Sequence, residues 1–189
     1  MAKLRNTTRG NRLIRGSWNT SRDSSIERMA AENITALINK SASSCLNEDK
    51  AHPWSNLVGG GGKALALKSD ADEQLILTLA FSQTVKITGL SIGLPTDRGS
   101  CPRTIKLFIN ESSLGFDEAT EMKALQEFVI TDSSPDEYVL KIQALKWTRT
   151  DFITIFIVDN HGSSVSSITD VKVYGSAHAG TDVAQIKSC

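Results

Sequence analysis

Three carboxylates, Asp70, Asp72 and Glu73, stand directly before the apolar run Leu75 to Phe81 in the stretch Ser69-Asp70-Ala71-Asp72-Glu73-Gln74. Acids at this spacing have three uses. As ligands of a hard cation they must converge with further oxygens. In an extended chain, however, Asp70 and Asp72 share one side and Glu73 faces away. As a catalytic pair they need a second acid across a cleft. As structural residues they need only the local backbone, whose N–H groups Ser and Asp side chains accept at the start of a strand. The third use asks least of the rest of the chain. No metal and no cofactor is assigned to these residues. Their exposed charge makes Asp70, Asp72 and Glu73 the candidate contacts for a protein partner.

Other motifs fall short of chemistry. Gly89-Leu90-Ser91-Ile92-Gly93 matches the G-x-S-x-G nucleophile elbow, which requires a sharp strand-to-helix turn. Ser91 instead sits in an alternating strand pattern with no helical pattern after it, and Asp159 and His161 follow in the wrong context. Gly59 to Gly62 precede Lys63, but a phosphate loop needs Gly where Leu57 stands and Ser or Thr where Ala64 stands. His52, His161 and His178 lack metal-site spacing. Cys45, Cys101 and Cys189 form no C-x-x-C pair and fit a reducing compartment. Four Asn-x-Ser/Thr triplets, at Asn6, Asn19, Asn33 and Asn110, have no consequence without a secretory route.

The elements that must position these residues belong to one domain. The chain has 189 residues and 40% apolar content, enough for a single core. No run approaches the ~20 apolar residues of a membrane span, and no signal-peptide pattern opens the chain. The 21 basic and 21 acidic residues balance, but unevenly. Residues 1–22 hold Lys3, Arg5, Arg9, Arg12, Arg15 and Arg22 and no acid, leaving 15 basic against 21 acidic residues in 23–189. That acidic body excludes nucleic acid as a ligand of the folded domain. The basic head reads as a disordered arm, with a mitochondrial transit peptide or a nuclear-import or nucleic-acid tail as alternatives.

Ser24-Ser25-Ile26-Glu27 is a capping box, and Ile26, Met29, Ala30, Ile34, Leu37 and Ile38 share a helical face. Asn33 interrupts this pattern and caps a separate short helix from Ile34 to Asn39. Residues 23–33 are therefore a helical extension, and residues 41–63 a loop. After Ala64 the period becomes two. Leu75 to Phe81 predicts a half-buried strand, and the change of parity between Val85/Ile87 and Leu90/Ile92/Leu94 predicts a bulge at Gly89. Ile105 to Ile109, Leu125 to Ile130, Tyr138 to Trp147, Phe152 to Val158 and Ile168 to Tyr174 read as further strands. The segment Phe152 to Val158 is apolar on both faces, as in a sheet's centre. Turn residues separate them at Pro95 to Gly99, Asp132 to Asp136 and Asp159 to Gly162. This pattern predicts an all-β fold, a β-sandwich or jelly roll.

The segment Ser69 to Ile92, SDADEQLILTLAFSQTVKITGLSI, resembles the signature of the PITH domain, the C-terminal module of proteasome-interacting thioredoxin-like proteins. INKSASSCLNE (Ile38 to Glu48) is similar to that domain's opening. TIKLFIN (Thr104 to Asn110), ITIFIVDN (Ile153 to Asn160) and VKVYGS (Val171 to Ser176) are similar to its later strands, and FDEA (Phe116 to Ala119) to a loop between them. The resemblance implies a jelly-roll β-sandwich of the galactose-binding-like type over residues 34–178, with a short N-terminal helix before it and a tail at 179–189. It implies no catalytic residues, association with the proteasome, and cytoplasmic and nuclear localisation. No C-x-x-C and no βαβ pattern precede the sandwich, so a thioredoxin activity is not carried over.

The leading expectation is a non-catalytic protein-interaction module whose acidic blocks, Asp70/Asp72/Glu73, Asp117/Glu118/Glu121 and Asp132/Asp136/Glu137, dock basic surfaces of the proteasome or a related complex. The alternative is a glycan or small-ligand binder, with His52 and Trp54 as its loop residues and Trp147 in the core. An enzyme built on Ser91 or the carboxylates is the third and weakest reading.

Overall fold

A computed structural model describes residues 31–58, 65–131 and 133–178. The basic arm, residues 23–30 of the expected helix, the glycine run, Asp132, Cys189 and the tail 179–189 lie outside the described residues.

Ten strands are described: β1 (Glu32–Asn33), β2 (Ser44–Leu46), β3 (Leu67–Lys68), β4 (Leu75–Gly93), β5 (Pro102–Ile109), β6 (Gln126–Val129), β7 (Glu137–Leu140), β8 (Thr150–Asn160), β9 (Ser167–Ile168) and β10 (Asp170–Ala177). One α-helix, α1 (Phe116–Glu121), and short 3-10 turns at Thr35–Leu37, Trp54–Val58 and Ala144–Lys146 complete the set. All strand pairs are antiparallel.

The 19-residue β4 organises the sandwich. Its first half, Leu75 to Ala80, pairs with β8 on one side and, at Ile76 to Thr78, with β2 on the other. Its second half pairs with β10 and β7. The register slips between Ala80 and Val85, where the strand turns from one layer into the other. One layer is therefore β2-β4-β8-β5-β6, and the other β1-β10-β4-β7. Between them lie Leu75, Leu77, Leu79, Val85, Ile87, Leu90, Ile105, Leu107, Trp147, Ile153, Ile155, Ile157, Val171 and Val173, each at most 1% exposed. Burying each aliphatic side chain contributes about 1.5–3 kcal/mol. The strand β8 is flanked by β4 and β5, the central position its two-faced apolarity predicts.

Several expectations are corrected. Glu32 and Asn33 do not extend a helix. They pair with Gly175 and Tyr174 as an edge strand. The short helix after Asn33 is a single 3-10 turn, and the Asn33 Oδ1 accepts its Thr35 N–H at 3.0 Å. Residues 41–63 are not all loop, because Cys45 joins the sheet opposite Leu77 and a 3-10 turn carries Trp54 and Leu57 into the core. The segment Tyr138 to Trp147 is not one strand. It ends at Leu140, and the parity change beyond marks a 3-10 turn. FDEA is a helix rather than a loop.

Leu75 to Phe81 is buried on both faces, not one. The β5–β6 connection folds over the outside of the sheet, where Leu114, just before α1, and Ala119 within it cover Ile76, Phe108 and Phe156. Phe116 meets Phe156 edge-on at 6.1 Å between ring centres.

The expected bulge exists, one residue away. Tyr174 pairs with Gly89 but Gly175 pairs with Ile87, so Thr88 is the extra residue. A Cβ on Gly175 would stand 2.0 Å from the Lys86 carbonyl oxygen, whereas one on Gly89 would meet Tyr174 at an ordinary 3.4 Å. The backbone approach requires its glycine at Gly175.

Candidate functional site

Turns from distant parts of the chain meet at one end of the sandwich. Ser69 donates to the Ser166 carbonyl at 3.0 Å, Ser167 to Ser100 at 2.8 Å, Ser163 to Gly99 at 3.2 Å and Thr169 to Gly93 at 2.9 Å, all through backbone N–H groups. The acidic turn is held within this set.

Its anchor is Asn47, which follows β2 with φ 63°. Asparagine tolerates this left-handed conformation better than most residues. Its Nδ2 donates to Asp72 Oδ1 at 2.8 Å and to the Gln74 carbonyl at 2.7 Å. Its Oδ1 accepts the Ala71 N–H at 3.0 Å, and its carbonyl accepts the Asp70 N–H at 3.0 Å. Asp72 Oδ1 also accepts the Gln74 N–H at 3.0 Å. Beneath the turn, the buried Ser69 accepts the Ser166 N–H at 2.8 Å, and the Ser166 hydroxyl donates to the Glu73 carbonyl at 2.6 Å.

The three acids therefore separate. Asp72 is committed to shaping the turn. Asp70 projects into solvent and makes no ion pair among the described residues. Glu73 lines a polar depression of about 410 Å³ with Arg103, Asp159, Asn160 and His161. No group of three or more His, Cys, Asp or Glu among the described residues is placed to hold a metal ion.

Arg103 closes the depression through Asp159, its Nε donating to Oδ2 at 3.1 Å, while the Thr104 N–H donates to Oδ1 at 2.9 Å. Burial pushes the Asp159 carboxyl up, but the hydrogen bonds from Arg103 and Thr104 outweigh it and hold it below the usual carboxylate range. Sequence reasoning missed Asn47 and Arg103. The one available signal for Asn47 was an asparagine directly after a strand.

Three acids of the other blocks, Glu118, Asp136 and Glu137, have partners within the domain, while Asp117 and Glu121 are exposed. Asp136 pairs with Arg98 at 2.7 Å. Glu137 accepts from the Ser91 hydroxyl at 2.9 Å and pairs with Lys172 at 3.2 Å. The Glu118 carboxylate accepts the Gly115 N–H at 3.1 Å at the start of α1, where acids also suit the helix dipole.

The remaining candidates resolve as follows. Ser91 is 2% exposed inside β4, opposite Lys172 on one side and Val139 on the other. It stands on no elbow. Trp54, expected on a loop, is 8% exposed, and its backbone N–H donates to Glu48 Oε2 at 2.6 Å. Trp147 is in the core as expected, with its indole donating to Gln126 Oε1 at 3.0 Å. His52 pairs with Asp49 at 2.6 Å and lines a second cleft of about 290 Å³ with Lys68, Thr96, Asp97, Ser167 and Thr169. Neither depression has a Phe, Tyr or Trp in its lining. The flat apolar platform that would stack on a sugar ring is absent from both linings.

The PITH domain family model matches residues 24–188 of the chain. The chain belongs to the PITH domain family. Relatives of the domain include Thioredoxin-like protein 1 of Schizosaccharomyces pombe, 27% identical over 69% of this chain and 47% of that protein. PITH domain-containing protein 1 of Homo sapiens is 25% identical over 69% of this chain and 63% of its own length. The PITH chain thus spans about half to two thirds of the curated relatives it matches.

Among solved structures, the PITH fold resembles the family 32 carbohydrate-binding module of Clostridium perfringens NanJ in complex with galactose. The TM-score is 0.58 at 12% identity, covering 74% of this chain and 95% of that one. A fucolectin from striped bass serum gives 0.58 at 11% identity, covering 78% and 50%. At such identities the likeness shows a galactose-binding-like jelly roll and nothing about ligands.

Proposed function

We propose that this PITH domain is a non-catalytic protein-interaction module that presents its acidic turn to a basic surface of the proteasome or a related complex. The observation that carries this reading is the division of labour between Asp72 and Asp70. Asn47 and Asp72 hold the turn, and Asp70 is left exposed and without an ion pair among the described residues. A charge displayed on an ordered turn loses little conformational freedom on docking. Exposed charges of this kind act mainly on association rate and partner choice.

The partner class rests on the family resemblance. Localisation in cytoplasm and nucleus follows from the same reading and is checked by imaging the tagged chain. Affinity capture from lysate with quantitative mass spectrometry tests the function. The parent chain should enrich proteasome subunits, and Asp70→Lys should reduce their recovery severalfold at low salt. Equal recovery with Asp70→Lys removes the turn from the interface. Absence of proteasome subunits from the parent's capture removes that partner.

A further inference from the structure

On the layer that contains β5 and β6, away from the acidic turn, a second feature faces solvent. A groove of about 320 Å³ is lined by Phe108, Ile109, Met122, Ala124 and Leu125, with Glu111, Lys123 and Lys146 among them. Met122 is 40% exposed. Beside the groove, one residue before Lys146, Leu145 is 91% exposed, the most exposed large apolar residue described.

Leu145 does not ride on a loose loop. Its 3-10 turn is closed by the Lys146 N–H donating to Gln143 at 2.8 Å and the Trp147 N–H donating to Ala144 at 3.1 Å. Trp147 is fully buried, and its carbonyl accepts the Ile87 N–H at 2.9 Å. Gln126 Oε1 accepts both the Trp147 indole at 3.0 Å and the Gln143 N–H at 2.7 Å. The same Gln126 directly follows Leu125 in the groove lining. Groove wall and leucine are therefore fixed to each other through one side chain.

The groove lining carries two cations against one acid, whereas the body as a whole is net acidic. Lys123 and Lys146 line the groove. Neither lysine makes an ion pair among the described residues. Glu111 is the one acid in the lining. Residues 23–189 carry 15 basic against 21 acidic residues, so an acidic partner repelled by most of the surface is attracted here.

We infer that this groove, with Leu145 at its lip, docks a short acidic segment of a partner protein that carries an aliphatic or aromatic anchor. The anchor fills the floor over Phe108 and Leu125, and the flanking carboxylates meet Lys123 and Lys146. Apolar anchors desolvated in a pocket and ringed by charge are the usual source of interface affinity. The inference deepens the interaction-module reading, but it uses a different surface from the acidic turn. The chain's own residues 1–22 are a poor occupant, because their six cations would meet cations.

The test uses the isotopically labelled full chain and three synthetic peptides: Glu-Glu-Asp-Leu-Leu-Glu-Glu, the same peptide with glycine in place of leucine, and a version with lysine for each acid. NMR shifts from the first peptide should localise to residues 108–111, 122–126 and 143–149. The glycine and lysine peptides should bind at least tenfold more weakly. Leu145→Asp and the pair Lys123→Glu/Lys146→Glu should each weaken the first peptide at least tenfold, with unchanged amide spectra elsewhere. Asp70→Lys should leave it unaffected.

Equal binding of the three peptides, shifts centred elsewhere, or no binding at millimolar peptide overturns the inference. So does a concentration-dependent dimer that Leu145→Asp dissolves, which would assign the groove to a second copy. If the groove fails while lysate capture still responds to Asp70→Lys, the function stands and only this surface is lost.

Discussion

Asn47 and Asp72, 25 residues apart, are joined by a 2.8 Å hydrogen bond that closes the acidic turn onto the end of β2. The bond gives Asp72 the role of a structural clasp and leaves Asp70 as the free charge of the turn. A carboxylate cluster that could pass for a cation site is thereby a turn motif in which Asp72 is hydrogen-bonded and Asp70 is an exposed acid without an ion pair among the described residues.

This geometry makes a stability prediction. Asn47→Ala removes the side chain's hydrogen bonds to Asp72, Gln74 and Ala71 and leaves alanine, which has no side chain to hydrogen-bond locally, at positive φ. The expected loss is about 2–3 kcal/mol in urea denaturation. Asp72→Asn keeps an acceptor at Oδ1 and should cost less than about 1 kcal/mol, while Asp70→Lys should fall within about 0.5 kcal/mol of the parent. A large loss at Asp70 with none at Asn47 would reverse the assignment of roles.

The two glycines at the bulge should behave differently. Gly175→Ala drives a methyl into the Lys86 carbonyl and should destabilise by about 2 kcal/mol or more. Gly89→Ala meets only an ordinary contact and should be neutral or slightly stabilising, since alanine restricts the unfolded chain. Thermal melts of the two variants decide the matter.

The thiols should report folding. Burial pushes both Cys45 and Cys101 up from the ordinary thiol value, with Glu48 adding to the shift at Cys45 and Arg98 opposing it at Cys101. At pH 8 both should resist iodoacetamide until denaturant is added. The native state keeps these protons to higher pH than the unfolded state does. Their contribution is therefore complete below the unfolded thiol pKa and is lost as pH rises above it. Stability should therefore fall as pH rises above ~8.5, relative to a variant with alanine at both positions. Parallel pH profiles of parent and variant would contradict this.

Asp159 has the opposite sign. Its carboxyl is held low by Arg103 and Thr104, so its stabilisation is present above the ordinary carboxylate pKa and fades as pH falls through the depressed value. Asp159→Asn should flatten the decline in melting temperature between pH ~5 and ~3. The pair is solvent-exposed, and the effect should shrink in 1 M salt.

The positions and parities of most strands were legible because they depend on neighbours in sequence, whereas their ends, as at Leu140, were not. Alternating leucines announced β4, and the two-faced apolar run announced β8. The bulge was legible to within one residue, because a parity change records it wherever the extra residue sits. The covering of the outer face by α1 was not legible, because nothing in Leu75 to Phe81 says that Leu114 and Ala119 lie over Ile76. Trp54 followed the same logic. Its neighbours His52 and Pro53 suggested a loop, and the 3-10 turn rotated the indole inward.

The amino-acid order alone determined the all-β class, the turn positions and the membership signalled by Ser69 to Ile92, since periodicity and turn chemistry are local properties of the chain. Tertiary structure decided which acid of the turn is spent and which is free, and it set Leu145 beside a basic apolar groove. Those outcomes depend on contacts between residues tens of positions apart, such as Asn47 with Asp72 and Gln126 with Trp147. Only the closing of the sandwich brings such partners within hydrogen-bonding distance.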